Sequence, residues 1–156
     1  MKHGILLCVL LLVACGDGPD DKAHNDERPA GGGHGHAPKM GGKLIDLNHV
    51  IQLELVHKFG SDTLTVYVWD GHVERAIRIK EPTIDFMLTA AGETLTITCM
   101  AQASKLSGEK VGSSSTFVAK TPELKGVRGL RGTLMRVKAR GQEWEGVEFD
   151  LAKVEK

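Results

Sequence analysis

From Lys43 onward the apolar residues fall at every second position. Ile51, Leu53 and Leu55 alternate with Gln52 and Glu54, and Leu64, Val66 and Val68 with Thr65, Tyr67 and Trp69. Ile84, Phe86 and Leu88 alternate with Asp85 and Met87, and Leu95, Ile97 and Cys99 with Thr96 and Thr98. A period of two marks strands with one buried face. Turn signals separate the runs: Gly60-Ser61-Asp62, Asp70-Gly71, Ala91-Gly92 and Arg140-Gly141. No stretch sustains a helical period, and Thr121 to Gly129 has room for one helical turn. The pattern predicts an all-β fold of roughly seven to nine short strands, an antiparallel β-sandwich of immunoglobulin-like architecture. A small closed barrel is the alternative.

The last hairpin can be registered from sequence. With Arg140-Gly141 as a two-residue turn, Ala139 faces Gln142, Lys138 faces Glu143, Val137 faces Trp144 and Arg136 faces Glu145. The charged pairs share one face, and Val137 and Trp144 the other. Past Gly146 the apolar residues Val147, Phe149 and Leu151 change parity, which predicts a bulge at Gly146.

Upstream of Lys43 the alternation stops. Gly16 to Gly42 reads GDGPDDKAHNDERPAGGGHGHAPKMGG, rich in Gly, Pro and charge and almost without large apolar residues. Such a segment buries too little surface to offset its ordering entropy. It is expected to be a disordered tether, reaching roughly 30 Å as a flexible coil. The expected organisation is therefore a signal segment at 1–14, a tether at 15–42 and a β-domain at 43–156.

The unbroken apolar run Ile5 to Ala14 is too short to span a bilayer as a mature helix and suits the core of a secretory signal. It ends in Leu12-Val13-Ala14-Cys15, which resembles the lipobox of bacterial lipoprotein precursors. The resemblance implies cleavage before Cys15, a diacylglyceryl thioether on its sulfur, and acylation of the new amino end by a chain such as palmitate. Two or three acyl chains anchor a protein stably, where one does so only marginally. The implied location is the cell envelope, lipid-anchored in the membrane. Gly16 after the lipidated cysteine favours the outer over the inner membrane.

Cysteine usage is consistent with that location. Cys8 would leave with the signal and Cys15 would be a thioether, so Cys99 alone remains and no disulfide can form within the mature chain. Cys99 alternates with Leu95 and Ile97 and is expected to be a small buried thiol. The chain carries 20 basic and 20 acidic residues. Losing Lys2 with the signal leaves 19 against 20, a net charge of −1, which gives no global attraction for nucleic acid.

Candidate chemistry is confined to histidine. His34 and His36 sit two apart, so in an extended chain both imidazoles point the same way and can reach one ion. Imidazole suits Cu, Zn or Ni, and His24 in the same tether is a further candidate ligand. In the domain, His49 and His57 share parity with Ile51, Leu53 and Leu55, which allows them at the two ends of an inward face; with His72 they are read as edge and turn histidines making local hydrogen bonds, and a metal site from two of the three plus the tether is the alternative. His72 follows the Asp70-Gly71 turn. The carboxylates fall in turns or on outward strand faces. The serine run Gly112 to Phe117 lacks a nucleophile elbow, and no HExxH motif or phosphate loop occurs, so no enzyme activity or organic cofactor is expected.

Gly41-Gly42, Leu44-Ile45, Leu53 to His57, Val66 to His72 and Ser114 to Phe117 are similar to segments of small bacterial envelope proteins. These pair a His-rich leader with a short β-domain and are related to segments near heavy-metal efflux adaptors. Met40 stands where that group often has histidine. The resemblance implies location and fold more than activity. The functional expectation is a membrane-anchored envelope lipoprotein with a non-catalytic binding domain, contacting a transition metal through its tether histidines. The alternative is an accessory subunit docked on another envelope protein, with no metal role.

Overall fold

The computed structural model describes residues 36–90 and 92–152. The strands are β1 (Lys43–Leu47), β2 (Ile51–His57), β3 (Thr63–Asp70), β4 (Thr83–Ala90), β5 (Glu93–Ala101), β6 (Thr116–Lys120), β7 (Arg131–Ala139) and β8 (Gln142–Asp150). A short 3-10 turn, Pro122–Gly126, lies between β6 and β7, within the stretch expected to hold one helical turn. The antiparallel all-β expectation holds. The strands form one eight-stranded sheet in the order β1-β2-β3-β6-β5-β4-β7-β8. The hydrogen bonding runs unbroken through all eight, so the division into two separate sheets that defines an immunoglobulin-like sandwich is not seen.

A single sheet can bury so much only by curling on itself. Leu53, Val66, Ile84, Phe86, Phe117, Leu134 and Val137 are all fully buried and belong to one core cluster that draws on all eight strands. Each half of the sheet therefore covers the other. Pairing is thinnest between β5 and β6, which share two residue pairs, Met100↔Val118 and Ala101↔Phe117, whereas β3 and β6 share five. The result approaches a barrel without closing, with β1 and β8 as edges.

The β7–β8 register is the one expected, from Ala139↔Gln142 through Arg136↔Glu145. Arg140 (φ 50) and Gly141 (φ 77) form the left-handed pair that a two-residue hairpin needs. The ion pairs differ in one respect. Both Lys138 Nζ (3.2 Å) and Arg136 Nε (3.6 Å) reach Glu143, so Arg136 crosses diagonally instead of meeting Glu145.

The parity change falls at Gly146, which has φ 65, but not as a bulge against β7. Pairing stays in step to Leu134↔Val147 because β7 changes parity at the same level. The register shift appears instead between β7 and β4, at Asp85/Phe86. A turn unseen in the pattern joins β1 to β2: Asn48 (φ 57) and His49 (φ 55) are both left-handed, with Val50 N–H donating to Leu47 O at 3.2 Å. Asp46 holds it, accepting the His49 backbone N–H at 2.7 Å and lying 3.0 Å from His49 Nδ1.

Candidate functional site

β2 is buried on both faces from Ile51 to Leu55. Its inward residues join the core, while Gln52 and Glu54 point out of the sheet and are nonetheless covered. The cover is the end of the expected tether. Residues 36–42 form a strap across the outer side of β2 and β3, tied to the domain by specific bonds.

Glu54 is the strap's anchor. Its side chain is 0% exposed, and such a buried carboxylate is tolerated only with strong compensation. Oε1 accepts the N–H groups of Met40 (2.7 Å) and Gly42 (2.9 Å), and Oε2 accepts those of Lys39 (3.1 Å) and the Trp69 indole (2.9 Å). Backbone amides converging on one anion make a small nest. Gly41, at φ 77, gives the chain the curvature that aims Met40 and Gly42 at the same oxygen. Gly42 is required for space, since a Cβ there would lie 2.5 Å from Leu55 O. Lys39 completes the attachment: Nζ donates to Glu74 O at 2.8 Å and stands 5.5 Å from the centre of the Trp69 ring.

The loop after β3 is equally fixed. Gln52 Nε2 donates to Gly71 O at 2.8 Å. Gly71 packs so tightly that a Cβ would lie 1.7 Å from His49 O. Asp70 Oδ1 accepts the Glu74 N–H at 2.7 Å, and Asp70 O accepts that of Val73 at 3.0 Å. Partial burial alone would raise the Asp70 carboxyl; the N–H donors of Glu74, Arg75 and His72 and the charge of Arg140 outweigh it and hold the group below its ordinary value.

Strap and loop bring two imidazoles together. His36 and His72 meet edge to face, ring centres 5.4 Å apart and planes at 80°. The other domain histidines are elsewhere. His49 is exposed in the β1–β2 turn and bonded locally to Asp46, as a turn histidine; the left-handed turn lifts it off the strand and away from the inward face its parity allowed. His57 is half-buried at the far end of β2, 3.3 Å from Ser61 O through Nε2. Cys15, His24 and His34 lie outside the described residues. Among the described residues no group of three or more His, Cys, Asp or Glu could hold a metal ion.

Cys99, Ser114 and Ser115 are held in the fold, whereas Asp85 Oδ1 is buried without a hydrogen-bond partner among the described residues. Cys99 is fully buried as expected; burial first, and then the charge of Asp85, push its thiol up to about 12. The buried Ser114 Oγ lies 2.8 Å from the carbonyl oxygens of Gln102 and Thr116, and Ser115 Oγ donates to Glu109 at 2.5 Å. An open groove of ≈ 390 Å³ is lined by Thr89, Arg131, Gly132, Thr133, Glu148, Phe149 and Asp150.

The alternation places Trp69 outward, and nothing along the chain shows that the strap covers it. Glu54 reads as an ordinary outward strand-face residue, and the alternative of two domain histidines with the tether does not single out the pairing of His36 with His72. The only local signal for the strap is Gly41-Gly42, a pair that permits both a left-handed turn and close approach. No protein-family model, no curated protein and no solved structure matches this chain.

Proposed function

We propose that this protein is a lipid-anchored lipoprotein of the cell envelope whose β-domain binds instead of catalysing, with tether histidines as contacts for Cu, Zn or Ni. The observation that carries this reading is the bolting of the tether's end onto the domain through Glu54, which delivers His36 to the domain surface. A chain held only at Cys15 would leave its histidines unorganised, whereas one gripped at both ends presents them at a defined place. The absence of catalysis is supported by how the polar groups are spent: the carboxylate of Glu54 is saturated with donors, and the Cys99 thiol is buried and protonated. Lipobox and strap together favour this reading over the accessory-subunit alternative.

Two measurements test it. Labelled palmitate should enter the wild-type chain and not a Cys15→Ser variant; equal labelling of both refutes the anchor. In equilibrium dialysis against Cu(II), Zn(II) and Ni(II), a His34→Ala/His36→Ala variant should bind more weakly than wild type. Equal binding by the two removes the metal role and leaves the accessory-subunit reading.

A further inference from the structure

We propose that His36 and His72 together form a two-histidine site for a late first-row divalent ion, Cu(II), Ni(II) or Zn(II), with its remaining positions open to solvent or to a small ligand. This rests on the metal reading above and deepens it by assigning a ligand from the folded domain, where the tether alone would otherwise have to act.

The separation of the two rings suits this role. Two imidazoles sharing one tetrahedral ion, each nitrogen roughly 2.0–2.1 Å from it, have ring centres about 5 Å apart. The His36 and His72 ring centres stand 5.4 Å apart, close to that separation. Neither ring's nitrogens make a hydrogen bond among the described residues, unlike His49 with Asp46 and His57 with Ser61. His36 is half-buried and His72 exposed, so an ion can arrive from solvent.

Both histidines stand on rigid supports. Between His36 and the Glu54 clamp lie Ala37 and Pro38; proline fixes its own φ and restricts the residue before it. His72 is flanked by Gly71, packed against His49, and by Val73, which is 2% exposed. The Lys39–Glu74 bond ties one support to the other. Ligands held in this way lose little freedom on binding, which offsets part of the weakness of a two-ligand site. Open positions make the ion exchangeable, in contrast to a closed four-ligand structural site.

The test uses the full chain purified from membranes in detergent and Cu(II) as probe, comparing wild type, His36→Ala, His72→Ala and His24→Ala/His34→Ala. His36→Ala and His72→Ala should each weaken binding by about tenfold or more, since even an outer partner of a metal ligand is worth about 10–100-fold. Electron paramagnetic resonance should show one fewer bound imidazole nitrogen in each. His72→Asn serves as a second variant, and far-UV circular dichroism verifies that the variants fold. Loss of affinity in His36→Ala but not in either His72 variant overturns this inference and leaves the tether reading standing. Unchanged binding in every variant overturns both.

Discussion

The carboxylate of Glu54 accepts the indole N–H of Trp69 at 2.9 Å, from a diagonal position across the β2–β3 ladder. The same carboxylate accepts three backbone N–H groups of the strap. One side chain thus joins two strands to a segment more than ten residues away. Glu54→Gln replaces one acceptor oxygen by an amino group that faces donors. It should cost about 2–4 kcal/mol, the range for charge-assisted bonds lost in a buried site. Urea unfolding measures the loss. Amide exchange should accelerate at Met40 and Gly42 while the core strands keep their protection; unchanged strap protection would falsify the clamp.

Gly71 tests the packing of the loop that carries His72. An added Cβ would overlap His49 O, and the backbone must move to admit it. Gly71→Ala should destabilise by about 1–3 kcal/mol, as overpacking does. Gly141→Ala adds no contact within 4 Å and carries only the strain of its left-handed φ, so thermal unfolding should rank it above Gly71→Ala.

Asp70 makes part of the stability dependent on pH. Its folded carboxyl titrates below the ordinary value of 3.8, so the unfolded chain takes up its proton first as acid is added. The contribution is complete above that value and fades as pH falls through the folded value. Asp70→Asn keeps an acceptor oxygen and removes the charge. Wild type should be the more stable at pH 7, and the gap should close in acid; a gap independent of pH contradicts the argument.

Cys99 should be inert in the native protein. With the thiol pushed up to about 12, thiolate is negligible at pH 8, and the sulfur is also inaccessible. Iodoacetamide labelling should be undetectable in buffer and rapid in denaturant. Fast native labelling would show that the sheet opens at β5.

Phe86 sets the scale for the core. It is 0% exposed and meets Phe149 edge to face at 6.0 Å. Phe86→Ala should cost about 3–5 kcal/mol in chemical denaturation. Met100→Ala, at a side chain that is 54% exposed, should cost far less.

The amino-acid sequence by itself determined what is local. Period-two alternation assigned Ile51, Val66, Phe86 and Cys99 to the inside, because strand geometry turns successive side chains to opposite faces. It also registered β7 against β8, since a two-residue turn leaves one pairing. The histidine of the site that precedes the strand region, His36, was legible as a candidate, but its partner His72 was only a turn residue.

Tertiary structure alone decided the rest. Alternation records which face a residue takes and not which strand lies beside it. That β6 inserts between β3 and β5, so that one curled sheet replaces two layers, is therefore invisible along the chain. Glu54 reads like any polar residue on an outward face until a strap from the preceding segment covers it and supplies its donors. His36 and His72 become neighbours only once Glu54 has clamped that strap and Gly71 has packed on His49, because contacts between distant segments arise from the closed fold.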